Sequence, residues 1–230
     1  MRFVMSIQSN LENLRRRISD AAQRAGRNPA DIKLCVVTKT IPVARIQEAI
    51  ACGVSIIGEN RVHEATQKQP ALGRSVEWHM IGHLQSRKAR QAVELFDMVQ
   101  SVDSVSTAAA LEKRCAEIDR PMRVLIEVNT SHEEQKYGAP PADAERLVRQ
   151  LGKMGHLRIE GLMTMAPLVS DPELARPCFR ELRQTAQRLR EQDFPGASFD
   201  VLSMGMSNDF EVAVEEGATL LRIGSAVFAK

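Results

Sequence analysis

The chain has 230 residues, 43% of them apolar and 26% charged, enough for one large or two small domains at roughly 150 residues each and ordinary for a globular protein that folds around its own core. Its formal net charge of +2 argues against nucleic acid as the main ligand, because proteins that bind the phosphate backbone concentrate a basic excess. One Trp, one Tyr and seven Phe supply few platforms on which single strands could stack.

From about Ser6 to Ala25, Ile7, Leu11, Leu14, Ile18, Ala21 and Ala22 recur at three- and four-residue spacing, which predicts an amphipathic helix stopped by Gly26 and Pro29. Lys33-Leu-Cys-Val-Val-Thr-Lys39 reads as a strand, and Pro42 then opens a helical pattern that ends at Gly53. The same alternation continues. Strand-like runs follow at Val54–Gly58, Val76–Ile81, Asp97–Val102, Arg123–Val128, Leu157–Met163, Phe199–Ser203 and Thr219–Ile223, each succeeded by helix-like sequence.

These eight runs begin about 27 residues apart on average, the length of one strand–helix unit. Such alternation implies parallel strands, and eight of them predict a closed (β/α)8 barrel, a TIM barrel. An open doubly wound sheet usually carries a Gly-rich first turn, whereas Thr38-Lys-Thr-Ile-Pro42 has no glycine. No linker-like segment divides the chain, so residues 1–230 read as a single α/β barrel domain, with residues 1–30 as an extra N-terminal helix and lead-in.

Cys35, Cys52, Cys115 and Cys178 lie in apolar or helical patterns without metal-like spacing and read as buried thiols of a reducing compartment. No apolar run approaches the roughly 20 residues of a membrane span, and Met1–Ser9 lacks the order of a secretory leader. The expectation is a soluble cytoplasmic protein.

Barrel chemistry sits at the C-terminal ends of strands. The first strand is expected to end in Lys39, where partial desolvation would favour the neutral amine that attacks an aldehyde to form a Schiff base; snorkelling into solvent is the simpler role for such a lysine. After the last two strands come Ser203-Met-Gly-Met-Ser-Asn-Asp209 and Arg222-Ile-Gly-Ser225. In this fold those loops often bind phosphate, and Ser203, Ser207, Ser225 and the amides around Gly205 and Gly224 offer donors for it. An amine and a phosphate cradle in one barrel mouth match the two reactive ends of pyridoxal 5′-phosphate.

Val36-Val-Thr-Lys39-Thr, Gly58-Glu-Asn-Arg-Val, Trp78-His-Met-Ile-Gly-His-Leu-Gln-Ser-Arg-Lys88, Gly161-Leu-Met-Thr-Met, Ser203–Phe210 and Arg222-Ile-Gly-Ser-Ala-Val-Phe228 together resemble the YggS/PROSC family of pyridoxal phosphate homeostasis proteins. The resemblance runs from about Asp31 to Phe228. It implies a barrel like the N-terminal domain of alanine racemase, with Lys39 as the Schiff-base lysine and Asn60 approaching the cofactor. It also implies that Ser207, Gly224 and Ser225 bind the phosphate and that Arg222 faces the pyridine nitrogen. Arg87, where the family often has Asn, and Tyr137, where it usually has a small residue, depart from the pattern outside the cofactor motifs.

An arginine beside the ring nitrogen disfavours its protonation and so attenuates carbanion chemistry. Racemisation further needs a second acid/base group, which a separate domain completes in alanine racemase and for which this length leaves no room. The expected role is therefore a monomeric carrier that holds, buffers and delivers the cofactor to apoenzymes and is not itself an enzyme. The alternative is a small racemase-type enzyme.

The remaining polar residues carry less. His79 alternates with apolar neighbours and serves either as an acid/base or as a hydrogen-bonded barrel histidine, and His83 either joins it or lines a loop. Neither sits at metal-ligand spacing. Lys136 is a candidate second amine or a solvated loop lysine. Asp209 and Glu211 are expected to complement a helix start, Arg15–Arg17 to face solvent, and Met163, Met165, Met204 and Met206 to wall an apolar pocket or fill the core.

Overall fold

The computed structural model describes residues 6–229. Met1–Met5, the start of the stretch judged to lack a leader, and Lys230 lie outside them. The eight expected strands form, as β1 (Lys33–Val37), β2 (Ile56–Glu59), β3 (Glu77–Met80), β4 (Met98–Val102), β5 (Met122–Glu127), β6 (Leu157–Met163), β7 (Ala197–Ser203) and β8 (Leu220–Ile223). All pair in parallel with their sequence neighbours, and β8 returns to β1 through Cys35↔Arg222 and Val36↔Ile223, closing a TIM barrel. Closure leaves no strand edge unpaired.

Outside the barrel run α1 (Ile7–Arg24), α2 (Val43–Ala51), α3 (Val62–Leu72), α4 (Ala89–Leu95), α5 (Val105–Glu117), α6 (Ala144–Leu151), α7 (Arg176–Arg190), α8 (Phe210–Glu215) and α9 (Ser225–Phe228). Ser6 caps α1 by accepting from the Ser9 amide, and the buried face of α1 is the Ile7-Leu11-Leu14-Ile18 stripe that its periodicity requires. The helix lies across α8 and α9. There the buried Asn10 amide donates to the carbonyls of Val227 and Ala229 at 3.0 and 3.1 Å, satisfying two carbonyls at the chain's last turn.

Successive strand side chains alternate between barrel interior and helix layer. Val36, Ile57, Val99 and Leu162 pack outward into the main core, each fully buried side chain contributing about 1.5–3 kcal/mol. Cys35, Ile56, Met98, Leu125, Met163 and Leu220 form a separate apolar cluster inside the barrel. Above and among them sits a polar set on the same alternation, His79, Gln100, Ser203 and Arg222, each at most 5% exposed. At Gly161 the strands approach so closely that a Cβ would stand 1.8 Å from the Val201 carbonyl oxygen.

Arg15 and Arg16 are exposed on the polar side of α1, as expected, and Arg17 is half-buried beside them; Arg15 also donates to the Cys52 and Gly53 carbonyls, and Arg17 pairs with Glu211 at 2.9 Å. The expectation of four buried thiols needs correction. Cys52 is half-buried, while the other three cysteines are buried. Among the described residues no helix is long and apolar enough to cross a membrane.

Candidate functional site

At the C-terminal end of the barrel opens a cleft of about 530 Å³. Its walls include Lys39, Asn60, Ser207, Arg222, Gly224 and Ser225, the six residues singled out from the sequence. They reach it from the ends of β1, β2, β7 and β8.

Lys39 corrects one expectation. β1 ends at Val37, and Lys39 stands exposed in the following turn, so burial does not desolvate its amine. The turn leaves the strand because Thr40 takes φ +61°, a left-handed conformation that non-glycine residues seldom adopt. The turn is held from beneath. Lys68 on α3 donates to the Thr38 carbonyl at 2.8 Å and to Glu59 Oε1 at 2.7 Å, Thr38 Oγ1 donates to the same Glu59 oxygen at 2.6 Å, and the Thr40 amide donates to Glu64 Oε2 at 2.9 Å. Burial pushes the Glu59 carboxyl up, and its bonds from Lys68 and Thr38 oppose that. This anchor fixes the direction in which Lys39 leaves the barrel.

Asn60 follows β2, where β3's end comes very near; a Cβ on Gly82 would stand 2.4 Å from the Asn60 carbonyl oxygen. On the opposite side the two glycine–serine loops interlock. The Arg222 amide donates to the Gly205 carbonyl at 3.0 Å, and the Ala226 amide donates to Ser207 Oγ at 3.3 Å. Gly205, at φ +95°, has no room for a Cβ, which would lie 2.6 Å from that of Ala213. Ser225 is exposed at the first position of α9, where a backbone N–H has no partner within its own helix.

Arg222 forms the buried floor. Its guanidinium donates to Ser203 Oγ at 2.6 Å and to the Thr164 carbonyl at 2.7 Å. Burial lowers its pKa, and the facing Cys35, Glu127 and Asp209 partly restore it; a guanidinium stays cationic throughout. The same burial drives the Cys35 thiol up to about 12, which leaves it unreactive.

Sequence reasoning missed Glu127, the last residue of β5. It lines the cleft, is 5% exposed, and its Oε2 has no hydrogen-bond partner. Burial, with Asp103 nearby, raises its pKa to about 7 despite Arg222. A carboxyl ending an apolar strand was the available signal. Asp209 occupies the N-cap position of α8 and Glu211 its first turn, as expected; the buried Asp209 side chain makes no capping hydrogen bond to the helix but accepts from the Met206 amide at 2.6 Å, shaping the β7 loop, and Glu211 also pairs with Arg17.

Tyr137 also needs correction, because it lies in the cleft wall with its ring stacked on His83, centroids 3.8 Å apart. His83 lines the cleft too. Lys136, its neighbour, pairs with Glu133 and is not part of the cleft wall. Met165 and Met206 wall the cleft, whereas Met163 and Met204 are core. Arg87 sits exposed in a short turn before α4, donating to Gln85. His79 is the hydrogen-bonded barrel histidine.

The profile of the alanine racemase N-terminal domain matches residues 9–230. A pyridoxal phosphate homeostasis protein of Aquifex aeolicus is 38% identical over 227 residues, covering 98% of this chain and 99% of that one. The structure of PipY from Synechococcus elongatus PCC7942, solved with pyridoxal phosphate bound, superposes with a TM-score of 0.80 at 37% identity, covering 92% of this chain and all of PipY. An alanine racemase of Clostridium difficile shares the fold, with a TM-score of 0.76 at 14% identity over 56% of its own length. The chain thus belongs to the alanine racemase N-terminal-domain family and, within it, to the pyridoxal phosphate homeostasis proteins.

Proposed function

We propose that this protein binds pyridoxal 5′-phosphate in the barrel-mouth cleft and serves its homeostasis by holding, buffering and delivering it. The observation that carries this reading is the convergence of Lys39, Arg222 and the two serine–glycine loops on one cleft. The cofactor supplies a reactive aldehyde, which a lysine amine holds reversibly as a Schiff base. The Lys68–Glu59–Thr38 anchor, which holds the turn that carries Lys39, supports that role for it. Ser207, Gly224 and Ser225 would hold the phosphate. The close approach at Gly224, where a Cβ would meet the Val37 carbonyl oxygen at 3.1 Å, supports a backbone cradle there. Arg222 would face the ring nitrogen and Asn60 the ring's edge.

Arg222 supports a carrier role over catalysis. A fixed cation at the ring nitrogen withholds the protonation that makes the ring an electron sink. The PLP-bound relative PipY supports the choice of ligand. We place the protein in the cytoplasm as a single-domain monomer whose partners are apo forms of pyridoxal-phosphate enzymes. The test is transfer: loaded protein should activate an apoenzyme, with free cofactor at equal concentration as the reference. Failure to activate the apoenzyme at all would remove delivery from the account.

A second reading, a racemase-type activity, draws on Tyr137 and Glu127, which line the same cleft and could exchange protons with a substrate. Incubation with single enantiomers of amino acids separates the two. Interconversion at enzyme-like rates favours this second reading.

A further inference from the structure

The polar residues inside the barrel form one continuous chain from the cleft to the opposite end. Arg222 donates to Ser203 Oγ at 2.6 Å, Ser203 Oγ lies 2.6 Å from Gln100 Oε1, and Gln100 Nε2 lies 2.8 Å from His79 Nδ1. His79 Nε2 in turn lies 3.3 Å from Glu77 Oε2, which accepts from Arg123 at 2.9 Å. Ser203, Gln100 and His79 are each at most 1% exposed. A cavity of about 380 Å³ opens onto His79 and Arg123 at the far end.

Each end of the chain fixes its hydrogens. Arginine can only donate, so Ser203 accepts from Arg222 and has its own proton left to give. At the other end the carboxylate of Glu77, held down at about 2 by its bond to His79 and by Arg123 against the effect of burial, can only accept. A neutral His79 must therefore carry its proton on Nε2, which leaves Nδ1 an acceptor. Gln100 then presents its amide nitrogen to His79 and its oxygen to Ser203, and the two ends agree on a single direction. Three groups bear on the charge of His79: Glu77 beside it on β3, Asp97 before β4, and Arg123 on β5. Burial is the largest influence and favours the neutral ring.

We propose that His79 is a positioning residue for Arg222, acting across the barrel through Gln100 and Ser203, and that its Nε2–H tautomer fixes the guanidinium against the ligand in the cleft. Were Gln100 reversed, Ser203 would face an amide N–H, lose the acceptor for its proton, and hold Arg222 less firmly. The proposal rests on the reading that the cleft binds pyridoxal phosphate, and the test separates the two.

First, nitrogen NMR of the ligand-free protein, with the His79 signal assigned by its loss in His79→Gln, should show a neutral ring with the proton on Nε2. A proton on Nδ1 overturns the proposed direction whatever the cleft binds. Second, Gln100→Leu and Gln100→Glu are titrated with pyridoxal phosphate after circular dichroism has established that both fold. Gln100→Leu removes the acceptor that orients Ser203, and affinity should fall about tenfold or more. Gln100→Glu keeps that acceptor, so affinity should stay within about threefold of the parent. Its other oxygen faces His79 Nδ1 and shares one proton with that nitrogen, whichever of the two carries it, while Nε2 keeps its proton toward Glu77, so the His79 Nε2 signal should stay that of a protonated nitrogen. Equal loss in both variants, or loss in neither, overturns the positioning role. If instead the parent forms no borohydride-reducible adduct, the cofactor reading fails while the NMR result still decides the chain's direction.

Discussion

Glu127→Gln isolates the buried carboxyl at the cleft. In the folded chain burial holds this group near 7 against an ordinary value of 4.5. Below pH 4.5 both folded and unfolded chains carry the proton, and the group is neutral to stability. Between 4.5 and 7 the folded chain keeps a proton that the unfolded chain has released, so stability falls as pH rises; above 7 the whole cost is present. The difference corresponds to about 3 kcal/mol. Glutamine has the same shape without the charge, and because Glu127 Oε2 has no partner, the change breaks no hydrogen bond at that atom. Ligand-free Glu127→Gln should therefore be more stable than the parent by about 3 kcal/mol at pH 8 and by only about 1 kcal/mol at pH 5. Urea unfolding at the two pH values measures this, and at pH 8 the midpoint of thermal unfolding should rise by about 6–12 °C. A gain of the same size at both pH values, or a loss at pH 8, would refute the argument that an unpaired buried charge sits at this position.

Other substitutions probe the scaffold of the cleft. Lys68→Met removes the partner of a fully buried Glu59 and should cost about 3–5 kcal/mol. Most of that should be recovered in Lys68→Met/Glu59→Gln, as read by chemical unfolding; no recovery would mean that the lysine's packing matters more than its charge. Gly205→Ala forces a Cβ to within 2.6 Å of that of Ala213 at φ +95° and should destabilise by about 2–4 kcal/mol; an unchanged melting temperature would contradict the tight loop. Ser207→Ala/Ser225→Ala should weaken retention of pyridoxal phosphate about tenfold, because hydroxyl donors are lost while backbone amides remain. Equilibrium titration checks this, and unchanged affinity would remove both serines from the phosphate site.

The barrel was legible because strands buried on both faces read as short apolar runs, and β6 falls on Leu157–Met163 as expected. The strand ends were less so. The departure of the chain at Thr38 depends on Lys68, 30 residues away on α3, and on the left-handed Thr40, neither of which a local pattern records. The same long-range contact explains why Lys39 was expected to be desolvated and is exposed. Glu127 was readable, since attention to strand ends should have found a carboxyl finishing Arg123-Val-Leu-Ile. Tyr137 was not: the β5–α6 loop folds back over His83, and only the fold brings its ring to the cleft. The interior chain from Arg222 to Glu77 joins β8, β7, β4 and β3, so it exists only once the strands are in register.

The central claim is that Lys39 holds pyridoxal phosphate covalently. Borohydride reduction of the loaded protein, followed by peptide mass spectrometry, tests it most directly. The account predicts one phosphopyridoxyl group on the peptide carrying Lys39, with the aldimine absorbance lost on reduction and absent from Lys39→Ala. The label on Lys136 or another lysine, or an undiminished absorbance band in Lys39→Ala, would contradict it.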